Sequence, residues 1–232
     1  MIPGGYRIPA PAMISKLAFV HTSPILIPLF AGLAREIVPE IEIFHITDES
    51  LIRNTIASGQ LTKTTVRRLV NTIESAHDGG ADAVMVTCSS IGAGVDAARM
   101  LFDFPVLRVD EAMADAAVKA GNRVGVAATL RTTLEPTIAL IRRNAARENV
   151  AIGIVPSLVH GAFEAVLAGD TERHDSLLID ALTDLRTKVD VVVLAQASMA
   201  RVVSRLPAGD GPPILSSPEL AVRNARAVLL GE

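Results

Sequence analysis

The only cysteine of the chain, Cys88, stands at the end of a short apolar run. Residues 83–86 are too few and too β-branched for a helix, so we predict a buried parallel strand that ends at this cysteine. Ser89 and Ser90 come next and are typical of a capped helix start. A thiol between a strand end and a helix amino terminus faces unpaired amides and the positive end of the helix dipole. We therefore expect Cys88 to have a lowered pKa and to act as an acid, a base or a nucleophile.

An inert role for this cysteine is the alternative, because a free Cys near a strand often behaves as a small buried hydrophobe. The flanking hydroxyls of Thr87, Ser89 and Ser90 favour function, since a strand end inside a core would be apolar. A chemical role for Cys88 then depends on the residues that face it.

The composition of the chain excludes several classes of protein. The 232 residues are 50% hydrophobic, which suffices for one large α/β domain or two small lobes. The net charge of −3 and an aromatic content of 3% favour neither a basic stripe nor a stacking platform, so we expect no nucleic-acid partner. A single cysteine excludes an internal disulfide, and no apolar run approaches the roughly 18 residues of a membrane span. We expect a cytoplasmic protein without a signal peptide or a membrane partner.

The sequence shows no motif typical of a metal site or a nucleotide-binding site. The five histidines stand far apart and none has zinc-site spacing; they are His21, His45, His77, His160 and His174. No Walker sequence occurs, and no G-x-G-x-x-G comes after a strand. We expect no metal and no cofactor.

Apolar runs alternate with helical periodicity along the chain. Residues 1–15, rich in Pro and Gly, are interpreted as an irregular leader. Strands are predicted at residues 16–21, 41–45, 83–86 and 105–109, with helices between them. Such alternation indicates a parallel sheet wrapped by helices.

The second half of the chain repeats the first. Residues 123–129 match 16–22 at an offset of 107, and residues 190–198 and 213–217 match 82–90 and 105–109 at an offset of 108. We infer two pseudo-symmetric α/β lobes, each with a parallel sheet of about four strands. Because ligands bind beyond the carboxyl ends of such strands and between lobes, Thr22 and Cys88 should face Thr129 and Gln196 across one cavity. A duplicated scaffold without a shared site is the alternative.

Three segments resemble the Asp/Glu racemase superfamily, which includes aspartate, glutamate and hydantoin racemases, maleate isomerase and arylmalonate decarboxylase. They are Val-Thr-Cys-Ser-Ser at 86–90, Ala-Thr-Leu-Arg-Thr-Thr-Leu-Glu-Pro at 128–136 and Val-Leu-Ala-Gln-Ala-Ser-Met at 193–199. The resemblance covers nearly all of the chain from Lys16 and includes the strands that open at Pro105 and Pro213. It implies two Rossmann-like lobes, a small carboxylate-bearing substrate, a homo-oligomer and no cofactor. It also implies that the last helix returns to the first lobe, which would comprise residues 16–110 and 217–232 around a second lobe at 111–216.

The resemblance further implies one catalytic cysteine per lobe, and here this chain departs from the pattern. Cys88 matches the first cysteine, but Gln196 occupies the place of the second, and Ser198 occupies the place of a histidine in glutamate racemases. An amide neither takes nor gives a proton at neutral pH, so racemisation by two thiols is not expected.

Three mechanisms remain for one thiol. Cys88 could protonate a carbanion left by decarboxylation, attack carbon as a nucleophile as maleate isomerase is thought to do, or work with another base. We expect an isomerase or racemase type of enzyme acting next to a carboxylate. A single-cysteine decarboxylase or other lyase is one alternative, and a non-catalytic protein that binds small acids is another.

His21 is the candidate for the second base, because it stands where glutamate racemases have a carboxylate; a buried histidine bonded to a carbonyl is the alternative. Hydroxyls and helix-start amides would hold the carboxylate. The hydroxyl residues are Thr22, Ser23, Ser89, Ser90, Thr129, Thr132, Thr133 and Ser198. Gln196 could donate to a substrate oxygen, whereas many of the hydroxyls could be helix caps only. Arg142 and Arg143 are interpreted as a solvated helix face.

Overall fold

The computed structural model describes residues 16–206 and 211–231. These residues form two four-stranded parallel sheets flanked by helices, which confirms the predicted two-lobed α/β architecture. The predicted leader, residues 1–15, lies outside the described residues.

The first lobe has the strand order β2-β1-β3-β4. Its elements are β1 (Lys16–His21), α1 (Ile27–Ile37), β2 (Glu42–Thr47), α2 (Glu49–Ser58), α3 (Lys63–Asp78), β3 (Ala83–Val86), α4 (Ala93–Ala98) and β4 (Val106–Arg108). Two 3-10 helices, Pro24–Leu26 and Ser89–Ile91, follow β1 and β3.

The second lobe repeats that order as β6-β5-β7-β8. Its elements are α5 (Glu111–Ala120), β5 (Arg123–Ala128), α6 (Arg131–Arg147), β6 (Gly153–Leu158), α7 (Ala162–Leu167), α8 (Thr171–Arg186), β7 (Val191–Leu194) and β8 (Ile214–Ser216). A 3-10 helix, Ala197–Arg205, follows β7, and α9 (Ser217–Leu230) follows β8.

Burial explains why the central strands form where they do. All four residues of β3 and all four of β7 are buried, as expected for a parallel strand covered on both faces. The flanking helices start at side-chain caps where the sequence supplies them: Asp48 accepts from the Ser50 amide at α2, and Thr62 accepts from the Thr65 amide at α3. None of the helices in the described part of the chain has the length and apolarity that crossing a bilayer requires.

The lobes exchange helices. Ala221, Val222, Ala225 and Leu229 of α9 belong to the same apolar cluster as Phe19 and Phe30 of the first lobe. Met113, Ala114 and Ala117 of α5 belong to the cluster of Val124 and Val126 in the second lobe. The links between β4 and α5 and between β8 and α9 therefore cross from one lobe to the other, and the carboxyl ends of the strands meet near these crossings.

Candidate functional site

Cys88 lies just beyond the end of β3 in an extended conformation and keeps part of its surface exposed. The hydroxyls of Thr22 and Ser90 and the amides of Ser90 and Ile91 donate hydrogen bonds to its sulfur. Of the hydroxyls predicted to surround the thiol, those of Thr22 and Ser90 are bonded to its sulfur. The next three residues form a 3-10 helix without a side-chain cap bond, and α4 begins only at Ala93.

The expected lowering of the thiol pKa is wrong. Burial raises the pKa of Cys88 above its ordinary value, and the hydrogen bonds from Thr22, Ser90 and Ile91 oppose that rise without cancelling it. One physical reason is that Ser89–Ile91 is too short to present the dipole of a full α-helix to the sulfur. At neutral pH the side chain is therefore a thiol that can donate a proton.

His21 is fully buried at the end of β1, and both of its ring nitrogens have partners. Nδ1 lies 2.8 Å from Thr87 Oγ1, and Nε2 lies 2.9 Å from His45 Nδ1. Thr87 donates its hydroxyl proton to the Val20 carbonyl at 3.2 Å, so it accepts from His21 Nδ1–H, and His21 Nε2 accepts from His45. Burial and, secondly, the neighbouring His45 lower the pKa of His21 to about 4. His21 is neutral at pH 7.

Strand alternation separates this imidazole from the thiol. Thr87 and Cys88 are consecutive residues in extended backbone, so their side chains leave opposite faces of the sheet. Cys88 packs with the cluster of Val84 and Val86, whereas the His21 ring lies 5.7 Å from that of Phe30 on the other face. None of the described hydrogen bonds joins His21 to Cys88, and a role for His21 as the second base stays a prediction.

Gln196 takes the place of the thiol in the second lobe, with Ala195 between it and the end of β7. Its Oε1 accepts from the Thr129 amide at 2.7 Å and from the Thr129 hydroxyl at 3.0 Å. The carboxamide is thus folded onto Thr129, which is the counterpart of Thr22. This half of the site is neutral and does not titrate.

The two lobes meet beside Cys88. Ser90 Oγ and Thr133 Oγ1 lie 2.7 Å apart and are both buried, and α6 packs across the 3-10 helix Ser89–Ile91. These two hydroxyls, predicted to bind substrate, are bonded to each other. Thr132 Oγ1, one residue earlier, is buried without a described hydrogen-bond partner and is the hydroxyl here with unused bonding capacity.

A charged cluster closes the same side of the interface; we call it the interlobe seam and define it as Asp96, Arg99, Arg108, Asp110, Glu111 and Arg143. The buried Arg108 guanidinium donates twice to Asp110, both at 3.0 Å, and once to Asp96 at 3.2 Å. It also packs on Gly92, where an added Cβ would lie 2.6 Å from Arg108 Nη2. The seam therefore supports the backbone directly after the thiol turn.

Two contacts of the seam cross between lobes. Arg143 on α6 lies 2.7 Å from Asp96 on α4, and Arg99 lies 2.7 Å from Glu111 on α5. Arg143 is exposed, as predicted for a solvated helix face, and its side chain also reaches across the lobes to Asp96. Sequence reasoning missed the seam, although a charged residue at Arg108, inside a buried strand, signals a buried partner.

The remaining candidate serines differ in exposure. Ser89 is buried, Ser23 is partly exposed and Ser198 is exposed on the 3-10 helix Ala197–Arg205. That helix is tied to α8 through Asp175, which accepts from Arg201 and Arg205. Across residues 16–206 and 211–231, no group of three or more His, Cys, Asp or Glu side chains is arranged to hold a metal ion.

With this geometry in place, the comparisons with known proteins identify the class. The model of the Asp/Glu/Hydantoin racemase family matches residues 23–225, and the chain belongs to that family. No curated protein sequence matches the chain significantly.

Several solved structures share the fold. An aspartate racemase from Picrophilus torridus is 13% identical with a TM-score of 0.69, and covers 93% of this chain and 94% of its own. Glutamate racemase RacE1 from Bacillus anthracis is 18% identical with a TM-score of 0.73, over 94% of this chain and 82% of that one. Allantoin racemase from Klebsiella pneumoniae is 18% identical with a TM-score of 0.59, over 94% of this chain and 89% of that one. At these identities the likeness concerns the fold alone.

Proposed function

We propose that this protein is a cofactor-independent isomerase of the racemase type that moves a proton at the carbon next to the carboxylate of a small acid. The observation that carries the proposal is the Cys88 thiol, partly exposed where the two lobes meet and bonded by the Thr22 and Ser90 hydroxyls. Family membership supports the same reaction class.

The proposed role of Cys88 derives from its protonation state. Burial keeps the thiol protonated at neutral pH, so its favoured step is to give a proton to a carbanion or enediolate. The thiolate that remains accepts hydrogen bonds from Thr22, Ser90 and the Ile91 amide, which stabilise it until it is reprotonated. For the isomerisation, the Cys88 thiolate takes the proton from the substrate carbon, the electron pair of the C–H bond stays on the substrate as an enediolate, and the carbon regains a proton from the thiol on the same face or from water on the opposite face.

The start of α6 is the proposed anchor for the substrate carboxylate. The amides of Arg131 and Thr132 belong to the first turn of a 17-residue helix, where backbone amides have no intrahelical partner. Thr132 adds a hydroxyl without a described partner, and Thr133 brings this turn against Ser90 beside the thiol. An anion held here would place its neighbouring carbon near Cys88.

A lyase is the second candidate, and the folded Gln196 favours it. With an amide bonded to Thr129 on the far side, no second thiol removes a proton there. In a decarboxylation the C–C bond to a carboxylate breaks, its electron pair stays on carbon, carbon dioxide leaves and the thiol proton bonds to that carbon. Water then reprotonates the thiolate, so one thiol suffices.

Proton exchange in deuterium oxide tests these functions. We expect proton NMR to show exchange of the hydrogen next to the carboxylate for an acid that binds, and Cys88→Ser to slow it about 100- to 10,000-fold, the usual weight of a general acid or base. Gln196→Ala, the matched variant in the other lobe, should change exchange less than about 10-fold. Carbon dioxide release from a malonate-type acid without exchange would replace the isomerase by the lyase. An acid that binds but undergoes neither reaction would contradict both enzymes and leave a binding protein.

A further inference from the structure

An open groove lies on the first lobe between α3 and α4, on the side of these helices that faces away from the sheet. Its volume is about 360 Å³. Lys63 and Arg67 line it from the first two turns of α3, and the other lining side chains are apolar; they include Val66, Val70, Ala97 and Leu101. None of these residues stands at the strand ends around Cys88, so the groove is separate from the proposed active site.

The same position in the second lobe is filled by an ionic cluster. There the buried Asp175 on α8 lies 2.7 Å from Arg201 and 2.6 Å from Arg205, two residues of the 3-10 helix Ala197–Arg205. By the repeat offset of 108, the counterparts of Asp175, Arg201 and Arg205 are Arg67, Ala93 and Ala97. The first lobe therefore has a cation where the second has a carboxylate, and it lacks the two long side chains that fill this position in the second lobe.

The two cations of the groove have no carboxylate partner. Within the described ranges neither Lys63 nor Arg67 forms an ion pair, whereas Arg68, the next residue, lies 2.8 Å from Asp48. Lys63 and Arg67 are one helical turn apart on the same face of α3, so their charges repel. An anion bound between them would remove this repulsion and would receive charge-assisted hydrogen bonds from both side chains.

The size of the groove favours a small molecule over a protein partner. Its volume falls in the range of about 300–1,000 Å³ that is typical of ligand pockets. A stable protein interface covers about 800 Å² on each partner around an apolar centre. Among the described residues of α3, α4 and the turn after α4, the exposed large hydrophobics are Met100 and Leu101 only. The lining therefore suits one apolar chain with one anionic head.

We propose that this groove binds an amphiphilic carboxylate, a free medium-chain fatty acid in chemical class. Its carboxylate lies between Lys63 and Arg67, and its hydrocarbon chain lies along Val66, Val70 and Leu101. The site is a second ligand site of the chain. It does not depend on Cys88 or on the reaction proposed above.

Calorimetric titration of the full chain with decanoate tests the inference. We expect saturable binding of one decanoate per chain, and decyltrimethylammonium, with the same chain and the opposite charge, should bind about 10-fold or more weakly. Arg67→Gln should weaken decanoate about 3- to 10-fold, since it removes a charged hydrogen-bond donor at a partly exposed site. Arg142→Gln is the matched control, because Arg142 is an exposed arginine on α6 that also forms no ion pair within the described residues. It should leave the affinity unchanged.

A double variant transfers the chemistry of the second lobe to the first. Arg67→Asp with Ala97→Arg introduces the residue types of Asp175 and Arg205, so the new ion pair should fill the groove and abolish decanoate binding. Urea unfolding should show the double variant folded. Leu101→Ala should weaken decanoate about 3- to 10-fold through lost apolar contact, whereas Val228→Ala, at another exposed aliphatic residue on α9, should have no effect.

Several results would overturn the inference. They are an absence of saturable decanoate binding, equal affinity for decyltrimethylammonium, and equal effects of Arg67→Gln and Arg142→Gln. Binding that is lost in Thr132→Val but kept in Arg67→Gln would place decanoate at the proposed active site instead. A dimer that excludes decanoate and dissociates in Arg67→Gln would show that a second copy of the chain occupies the groove.

Discussion

The strand ends of the two lobes have the same topology and different chemistry. In the first lobe, β1, β3 and β4 lead to His21, Cys88 and Arg108, whereas the counterparts in the second lobe are Ala128, Gln196 and Ser216. Sheet order and offsets are kept because they define the core, but titratable side chains stand at these three positions in one lobe only. We therefore expect side-chain proton transfer from the first lobe only, whereas the second lobe contributes neutral side chains at these three positions.

The largest contrast between the lobes is expected at Arg108 and Ser216. Arg108→Met leaves the buried Asp110 carboxylate without its bidentate partner, and we expect a loss of about 3–5 kcal/mol in the free energy of unfolding. Ser216→Ala, at the matching position, should cost less than about 1 kcal/mol. Urea unfolding measures both. Adding Asp110→Leu to Arg108→Met should recover much of the loss, and equal effects of the two single variants would break the comparison.

The next contrast between the lobes is the pH dependence of the free energy of unfolding, to which we expect His21 of the first lobe to contribute. The pKa of His21 is about 4 in the folded protein, below the ordinary 6.5. As the pH falls, the unfolded chain therefore binds a proton at His21 before the folded chain does. The contribution of neutral His21 to the free energy of unfolding is constant above about pH 6.5. It falls by roughly 2–3 kcal/mol as the pH is lowered toward 4. In His21→Gln the difference in unfolding free energy between pH 7 and pH 4.5 should shrink by about that amount. An unchanged difference would show that His21 titrates normally.

A smaller contrast is expected between Ser90 and Ser198, its counterpart by the repeat offset. Ser90→Ala leaves the buried Thr133 hydroxyl without its partner and should cost about 1–3 kcal/mol, whereas Ser198→Ala should be within about 0.5 kcal/mol of the unmodified chain. Thermal and urea unfolding give these values. A larger effect at Ser198 would mean that its hydroxyl has a buried partner in solution.

The smallest contrast is expected in the titration of the thiol. Alkylation of Cys88 by iodoacetamide should follow a pKa above the ordinary value of the thiol, because burial dominates. Thr22→Val removes a hydrogen bond to the sulfur and should move the midpoint upward by less than about one pH unit, whereas Thr129→Val should leave it unchanged. A midpoint below the ordinary value would restore the reactive thiolate predicted from the sequence.

The fold was predictable because the repeat offsets and the buried runs at residues 83–86 and 190–194 are local properties of the sequence. The same offsets placed Cys88 and Gln196 at equivalent strand ends. The pKa of Cys88 was mispredicted because burial of the thiol outweighs the hydrogen bonds that it accepts, and the extent of burial depends on tertiary packing that the local sequence does not show. The direction of the His21 ring depends on which face of the sheet it leaves.

The interlobe pair of Arg143 with Asp96 was not predictable for a different reason. Arg143 belongs to a helical pattern that is polar all along its exposed face, and only the packing of α6 against α4 decides that it meets Asp96. Periodicity assigns a residue to a face of its helix, but it does not determine which neighbouring lobe that face approaches.

The return of α9 to the first lobe has a consequence for how the chain folds. Phe30 and Ile37 on α1 pack in the cluster that includes Ala221 and Leu229, so this part of the first lobe stays uncovered until residues 217–230 have been synthesised. The core of the second lobe runs from α5 to Leu220 at the start of α9, whereas the core of the first lobe extends to Leu229. During synthesis the first lobe should therefore complete its fold after the second lobe. Its apolar surface is exposed until then, and we expect chaperones to bind it.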